Sequence, residues 1–467
     1  MNRNNIFIHL ALALVLILVA AFAGQLSRWR KQLRSHVGIV PTAEKKQPTT
    51  TEEIALSETR SCGPPEVLVK FKSGVSQARI EEITAGFHDR VEDRIENDPG
   101  LEAIDDLDNA DASSVVDQYV RLPEVEYAEP NYEIKLEEVD GPLVPVLPHD
   151  PQFSDQWALA NSGQRGGKEG ADISATLAWA KTTGSDKVVV AVLDTGVDYT
   201  HEDLARNMWV RPAGLEPYHD DELGTIDDVN GFNAIDSTAD PMDENGHGTH
   251  CAGIIGAEGE NDVGIAGVNW RVQIMPLKFM NAGGFGNTKD AIEAINYVID
   301  RKKAGVNVRI ISASWGSTQK SRALGEVIRK AYENDILFVA AAGNSSTNND
   351  RSPHYPSSFE NVVSVAALDR HDQLASFSNY GAKSVAIAAP GAEILSTWLD
   401  NQYEEKSGTS MATPVVAGVA ALILAEHPRM SVEELRKKLL DSTDPIVALQ
   451  GKIATGGRVN AAKAVQN

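Results

Sequence analysis

The strongest structural signal in this chain is Lys187-Val188-Val189-Val190-Ala191-Val192-Leu193-Asp194. Its unbroken apolar run predicts a strand that is buried on both faces, and the strand ends at a carboxylate. Helical stretches at residues 289–303 and 318–334 separate several further apolar runs. These runs lie at residues 272–280, 308–313, 336–342, 362–368 and 385–389. Strands that alternate with helices predict an α/β fold with a doubly wound, mostly parallel sheet.

Upstream of this pattern, residues 62–140 form a smaller predicted domain. Residues 67–72 are predicted as a strand, Ser76 as the N-cap of a helix, and residues 125–132 as a closing strand. This small α+β domain carries 21 acidic and 7 basic residues, whereas residues 150–467 carry 41 and 28. The much denser negative charge of the first segment predicts that the two segments are separate domains.

The first 61 residues read as targeting and linker sequence. Residues 6–24 contain no charged side chain, and Ala21-Phe22-Ala23 has the small residues of a signal-peptidase site. We therefore expect residues 1–23 to be a signal peptide, residues 24–61 to be a linker, and the rest of the chain to be exported. The alternative is an uncleaved membrane anchor, because 19 uncharged residues are just long enough to span a bilayer.

Composition excludes several classes of protein. The 467 residues are 42% hydrophobic and 23% charged, which rules out a wholly disordered or collagenous chain. With a formal net charge of −23, the chain has no overall positive charge that would attract nucleic acid or an anionic membrane surface. Two cysteines cannot form a disulfide framework or a four-cysteine zinc site.

Four short motifs carry the residue types of nucleophilic catalysis. Asp194 and Asn344 follow predicted strands. His247 lies in a glycine-rich motif, and Ser410 begins an apolar helix. A serine needs a base to remove its proton, and an imidazole base needs a carboxylate to fix its tautomer. Free N–H groups at a helix start and the amide of Asn344 could stabilise an oxyanion, and sites in open α/β sheets collect at the carboxyl ends of strands.

Taken singly, each motif has a simpler explanation. Asp194 could cap a helix, and Ser410 could be an ordinary N-cap. His247 could be structural, or it could share a metal ion with His250. For the whole chain, the alternatives are a catalytically inactive binding homologue and a lipase or esterase of the α/β-hydrolase type. The latter is disfavoured because Gly408-Thr409-Ser410-Met411-Ala412 is not a Gly-x-Ser-x-Gly elbow and Asp194 precedes the serine.

The motifs resemble those of the subtilisin-type serine endopeptidases, the subtilases, over residues 150–465. The matching stretches are Asp194-Thr195-Gly196, His247-Gly248-Thr249-His250 and Gly408-Thr409-Ser410-Met411-Ala412-Thr413-Pro414. The preceding domain, which ends in Tyr127-Ala128-Glu129-Pro130-Asn131, is similar to the family's inhibitory propeptide. The resemblance implies a secreted, monomeric endopeptidase that forms an acyl-enzyme with polypeptide substrates. It also implies a self-processing zymogen that is inhibited by its own propeptide.

The resemblance assigns roles to individual residues. It implies that Asp194 orients His247, the general base, and that Ser410 is the nucleophile. Asn344 matches the oxyanion-hole donor. The two edge segments that would pair with extended substrate are Ser314-Trp315-Gly316 and Gly284-Phe285-Gly286. Trp315 stands where a smaller apolar residue is common, and His354 stands where the pocket floor is commonly glycine, so the side-chain preference stays open.

Structural calcium is the cofactor that the resemblance implies. Asp150, Asp203 and Asn261 match side-chain ligands of the family's strong site. Backbone carbonyls of the adjoining loop would complete an oxygen-only shell, and the candidates there are Glu258, Val263 and Ile265. A second acidic loop is either another cation site or a solvated charge run; it holds Asp220, Asp221, Asp227, Asp228, Asp236, Asp240 and Asp243. Cys251 is either a thiol of the active site or, as we favour, a small buried hydrophobe.

Overall fold

The computed structural model describes residues 66–108, 110–132, 143–221 and 224–466. They belong to two compact units, one within Met1–Glu138 and the other within Val139–Asn467. The predicted signal peptide at residues 1–23 and the predicted linker at residues 24–61 lie outside the described residues. Each unit has its own buried hydrophobic cluster.

The first unit is a four-stranded antiparallel sheet with two helices. Its elements are β1 (Glu66–Phe71), α1 (Gln77–Phe87), β2 (Asp89–Arg94), β3 (Leu101–Asp106), α2 (Ala112–Tyr119) and β4 (Val125–Pro130). The strands lie in the order β2-β3-β1-β4. Alternate residues of β1, Val67, Val69 and Phe71, are buried in one cluster with Ile80 of α1 and Tyr119 of α2.

The predicted strand–helix–strand pattern of this unit is incomplete. It contains the elements now seen as β1, α1 and β4, but it lacks β2, β3 and α2. Ser76 does occupy the N-cap position of α1, although its side chain makes no capping hydrogen bond. The closing strand ends at Pro130, two residues earlier than predicted.

The second unit contains the larger share of the described elements. Its strands are β5 (Gly184–Asp194), β6 (Tyr218–Asp220), β7 (Gly224–Ile226), β8 (Phe232–Asn233), β9 (Arg271–Lys278), β10 (Val308–Ala313), β11 (Leu337–Ala341), β12 (Val362–Leu368), β13 (Ile387–Pro390), β14 (Ile394–Trp398), β15 (Gln402–Lys406), β16 (Thr443–Pro445) and β17 (Gly457–Val459). Its helices are α3 (Ala175–Ala178), α4 (His247–Gly256), α5 (Thr288–Lys303), α6 (Arg322–Glu333), α7 (Thr409–Glu426), α8 (Val432–Asp441) and α9 (Ala461–Ala464).

A nine-stranded sheet organises this unit, in the order β16-β17-β13-β12-β11-β10-β5-β9-β8. Neighbouring strands run parallel, except that β16 is antiparallel to β17. Along β5, Val190 and Val192 pack in one cluster with α4 and α7, whereas Ala191 and Leu193 pack in another with α5 and α6. Helices therefore cover both faces, which confirms the predicted α/β fold with a doubly wound, mostly parallel sheet.

The sheet order brings three chain segments to one edge. β10 lies between β5 and β11, so their carboxyl ends are neighbours. Asp194 ends β5, Ser314 directly follows β10, and Asn344 follows β11 by three residues. Helix α7 packs against these strands. It is apolar and long enough to cross a membrane, but 83% of it is buried inside the unit, as expected of a core helix.

Most predicted limits in this unit lie within three residues of the observed ones. The predicted strand at residues 362–368 is observed as β12, and that at residues 308–313 as β10. The exception is the helix predicted at residues 318–334, which begins only at Arg322. Ser321 stops it from starting earlier, because its hydroxyl accepts a capping hydrogen bond from the Leu324 N–H.

Candidate active site

His247 and Asp194 form a hydrogen-bonded pair at the carboxyl edge of the sheet. Nδ1 of His247 donates to Oδ1 of Asp194 at 2.7 Å, and the same oxygen accepts from the Thr195 N–H at 2.8 Å. Burial disfavours a charged imidazole, but the adjacent carboxylate outweighs it and raises the pKa of His247. Because Nδ1 carries the proton that the carboxylate accepts, Nε2 is the nitrogen that can act as a base.

Glycines at the start of α4 allow His247 to reach this position. Gly246 precedes the helix with φ of 99°, in the left-handed region that favours glycine. Gly248 lies so close to the loop after β5 that a Cβ on it would be 2.0 Å from the Gly196 carbonyl oxygen. The helix therefore starts directly against the strand that carries Asp194.

Ser410 lies in the first turn of α7 and makes two hydrogen bonds with Ser314, in the segment after β10. Its Oγ donates to the Ser314 carbonyl at 3.0 Å, and Oγ of Ser314 donates to the Ser410 carbonyl at 2.7 Å. Within the described part of the chain, no hydrogen bond joins Ser410 to His247. Such bonds are often loose before substrate binds, so this geometry is compatible with a catalytic pair.

Asn344 is oriented by the residue before the serine. Its Oδ1 accepts from the N–H and the hydroxyl of Thr409 at 2.8 and 2.9 Å. A Cβ placed on Gly408 would be 3.4 Å from Nδ2 of Asn344 and 3.5 Å from the backbone N of Ser410. The amide nitrogen of Asn344 and the backbone nitrogen of Ser410 thus lie near one point, and two N–H groups placed in this way could stabilise an oxyanion.

His250 and Cys251, which follow His247 on helix α4, are both buried and contact backbone carbonyls. The ring of His250 is buried, and its Nε2 lies 3.1 and 2.9 Å from the carbonyls of Ile394 and Glu404. Burial lowers the pKa of His250 to about 3, and its position does not support a metal site shared with His247. Cys251 is fully buried, and burial raises the pKa of its thiol, which supports the interpretation as a small hydrophobe.

The two predicted substrate edges have different environments. In Ser314-Trp315-Gly316, the indole of Trp315 donates to the Leu193 carbonyl at 3.0 Å and packs on Phe279 with ring centroids 4.8 Å apart. Its side chain is therefore anchored toward the core. The Gly284-Phe285-Gly286 segment forms a loop tip, and its phenyl ring is 75% exposed.

The residues predicted as side-chain calcium ligands lie together. Asp150 and Asp203 are 4% and 0% exposed, and Nδ2 of Asn261 donates to Asp203 at 2.9 Å. One oxygen of Asp150 accepts from the Glu260 N–H, while the other is buried without a partner. Burial, with a smaller contribution from the nearby Asp150, raises the pKa of Asp203 to about 6. Two buried carboxylates with an unpartnered oxygen fit a hard cation.

The loop residues predicted to complete this shell make contacts through their side chains or N–H groups. The Glu258 carboxylate pairs with Arg206 at 2.6 Å, so this side chain is turned to another partner. Ile265 donates its N–H to Asp203 at 3.0 Å. Val263 donates its N–H to the side chain of Asn261 at 2.8 Å.

The second acidic loop is largely satisfied by protein donors. Asp228 is fully buried and accepts from Arg211, Tyr297 and the Tyr218 N–H. Further carboxylates of the loop have partners as well: Asp227 has Arg211, Asp236 has Asn233, Asp240 has Tyr199 and Asp243 has Thr249. These contacts favour a structural role over a second cation site.

Sequence reasoning missed two side chains at this edge, Lys278 and Trp398, and the hydrogen bond that the hydroxyl of the predicted edge residue Ser314 makes. Lys278, at the end of β9, is 4% exposed and donates to the Thr195 carbonyl at 2.9 Å. Trp398, at the end of β14, packs beneath the glycine before His247. All three end or follow a strand, so a search of strand ends would have found them.

Comparisons with known proteins show which families and relatives this chain is similar to. A sequence model of the subtilase family matches residues 185–462, and one of the fervidolysin N-terminal prodomain matches residues 49–131. A thermophilic serine proteinase of Bacillus sp. (strain AK1) is 34% identical over 423 residues, 90% of this chain and 92% of that protein. Thermitase of Thermoactinomyces vulgaris is 35% identical over 319 residues, 68% of this chain and 99% of that protein. The halolysin-like extracellular serine protease Nep of Natrialba magadii is 35% identical over 346 residues, 73% of this chain and 56% of that protein.

Proposed function

The chain belongs to the subtilase family, as a subtilisin-like serine protease with an N-terminal prodomain. We propose which residues catalyse its reaction, which segment inhibits it and that it is secreted. It hydrolyses peptide bonds with Ser410 as the nucleophile, His247 as the general base and Asp194 as the orienting carboxylate. The observation that carries this proposal is the His247–Asp194 hydrogen bond of 2.7 Å beside a serine at a helix start.

In the proposed reaction, the Ser410 hydroxyl leaves the Ser314 carbonyl and turns to Nε2 of His247. The imidazole takes the proton as Oγ attacks the substrate carbonyl carbon, and Asp194 stabilises the imidazolium through Nδ1. Nδ2 of Asn344 and the N–H of Ser410 donate to the oxyanion. His247 then protonates the leaving amine, and a water molecule activated by the same base hydrolyses the acyl-enzyme.

We assign the segment at residues 62–140 as the inhibitory propeptide and residues 150–467 as the catalytic domain. The prodomain match at residues 49–131 and the separate compactness of the first unit support this division. We place the cleavage point between residues 133 and 150, where prolines at 142, 145 and 148 disfavour a helix. Polypeptides are the substrates, and the released propeptide binds the enzyme as an inhibitor.

Export and calcium complete the proposal. The uncharged segment at residues 6–24 and the extracellular relative from Natrialba magadii support secretion, with residues 1–23 removed as a signal peptide. Asp150, Asp203 and Asn261 would hold a structural calcium ion, which would neutralise two buried carboxylates. We expect the mature enzyme to act as a monomer.

Replacement of the nucleophile tests this function. Ser410→Ala should leave the chain folded and unprocessed at full length, with peptide turnover lower by about 10⁶-fold, as for other triad serines. Ser407→Ala, three residues earlier and exposed, is the matched control and should mature normally. Near-normal processing or turnover by purified Ser410→Ala would remove Ser410 from the nucleophile's role.

A further inference from the structure

The imidazole of His354 fills the gap between two glycines. A Cβ built on Gly316 would lie 2.1 Å from Cε1 of His354 and 2.7 Å from Nε2. A Cβ built on Gly343 would lie 3.1 Å from Cδ2 of the same ring. The His354 ring therefore occupies the space in which side chains at residues 316 and 343 would lie if these residues were not glycines.

Both of these glycines lie on segments bound directly to the nucleophile's turn. Gly316 follows Ser314 by two residues, and the Ser314 carbonyl accepts from Oγ of Ser410. Gly343 precedes Asn344 and donates its N–H to the Thr409 hydroxyl at 3.1 Å. The gap that His354 fills thus lies between two segments that are both hydrogen-bonded to the turn of Ser410.

Hydrogen bonds of its own loop fix the position of the His354 ring. Ser317 and the residue after His354, Tyr355, exchange two backbone hydrogen bonds of 2.7 Å, which fixes the loop against the edge segment. The Ser357 hydroxyl donates to the His354 carbonyl at 2.8 Å and lies 3.3 Å from Nδ1. Burial lowers the pKa of His354, so near neutral pH the imidazole is an uncharged obstacle.

A substrate carbonyl that meets Oγ of Ser410 and Nδ2 of Asn344 lies next to the segments that carry Gly316 and Gly343, so the side chain of that substrate residue can reach the gap. The indole of Trp315 does not compete for the space, since it is anchored to the Leu193 carbonyl. The depth available to that substrate side chain is therefore set by His354. A short pocket accepts small side chains and excludes large ones, because a packed wall yields only at the cost of strain.

We propose that His354 closes the floor of the primary substrate pocket and restricts the protease to small residues, such as alanine and serine, on the acyl side of the cleaved bond. This inference rests on the proposed function, because it requires Ser410 to attack a peptide carbonyl in this cleft. It concerns size, and it predicts no preference for an acidic side chain.

Peptide substrates that differ only in that residue test the proposal. Mature wild-type enzyme should cleave the alanine peptide with kcat/KM at least tenfold above the phenylalanine peptide. His354→Gly should raise the phenylalanine-to-alanine ratio of kcat/KM by at least tenfold, since the ring no longer fills the gap. His354→Leu, which is bulky and uncharged, should keep the preference for alanine. His219→Gly, on an exposed residue of β6, is the control and should leave the ratio unchanged.

The outcomes separate this inference from the proposed function. Each variant is first titrated with a fluorophosphonate, so that kcat refers to folded enzyme with a reactive serine. A wild-type enzyme that prefers phenylalanine or an acidic residue, or an unchanged ratio in active His354→Gly, overturns the pocket assignment alone. An enzyme that neither reacts with the fluorophosphonate nor cleaves any peptide overturns the proposed function instead.

Discussion

At the scale of single residues, the backbone carbonyl of Ser410 explains how this proposed nucleophile is held. The residue four positions later in α7 is Pro414, which has no N–H to donate to that carbonyl. The carbonyl instead accepts from the hydroxyl of Ser314 at 2.7 Å and from the thiol of Cys251 at 3.5 Å. A proline inside the helix thereby lets two other elements, the end of β10 and α4, bind the turn that carries the serine.

Two substitutions of Asn344 test its proposed role as the oxyanion donor. Asn344→Ala removes the donor Nδ2 and also the acceptor that fixes Thr409, and kcat should fall by about 10²–10³-fold. Asn344→Asp keeps an acceptor for Thr409 but places a carboxylate where the oxyanion forms, so its loss should be at least as large. The measurement is steady-state hydrolysis of one peptide, with KM reported separately. A loss below tenfold in both variants would show that another group stabilises the oxyanion.

At the scale of elements, strands with a long apolar run could be predicted from the sequence, whereas the charge-rich strands β2 and β3 could not. The apolar runs that became β10 and β12 are buried along their whole length, so composition alone marks them. Strand β2 reads Asp-Arg-Val-Glu-Asp-Arg and lies at the edge of its sheet, where only Asp89 is fully buried. No alternation of apolar and polar residues marks such a strand, because Val91 is its single apolar residue.

The buried carboxyl group of Asp89 makes the first unit sensitive to pH. It accepts from the Tyr119 hydroxyl at 2.5 Å and lies near Asp106 and Asp108, and burial raises its pKa to about 6 from an ordinary 3.8. The folded form therefore binds this proton more tightly than the unfolded form. Its contribution to stability is complete below pH 4 and is lost as pH rises through 6.

We therefore expect this unit to unfold at a lower temperature at pH 8 than at pH 5. Calorimetry of the full-length Ser410→Ala chain would measure the transition of the unit without self-cleavage. Asp89→Asn cannot titrate and should show a smaller difference between the two pH values. An identical pH dependence in Ser410→Ala and in the Asp89→Asn double variant would contradict this role of Asp89.

At the scale of the whole molecule, the candidate site joins residues that are up to 216 positions apart, from Asp194 to Ser410. Their meeting could be predicted, because the carboxyl ends of parallel strands share one edge of the sheet. The ring of His354 in the gap beside Ser410 could not be predicted in the same way. Its position depends on the loop pairing of Ser317 with Tyr355 and on a side-chain rotamer, and neither leaves a pattern in the sequence.

The stability of the catalytic unit should depend on calcium. An ion that binds only the folded state stabilises it by mass action, by about 2.7 kcal/mol when free calcium is 100 times Kd. Chelation should therefore lower the melting temperature of the Ser410→Ala chain. The matched control is Asp203→Asn, which removes one proposed ligand and should melt at the same temperature with or without chelator. An unmoved melting curve in Ser410→Ala would refute the calcium assignment.

The central claim is that His247 activates Ser410 for attack on a carbonyl. Its most direct test is the reaction of the mature enzyme with a fluorophosphonate, followed by mass-spectrometric location of the adduct. We expect a single adduct on Oγ of Ser410, formed faster as pH rises through the pKa of His247, and almost none in His247→Ala. Labelling at another residue, or equally fast labelling of Ser410 in His247→Ala, would contradict it.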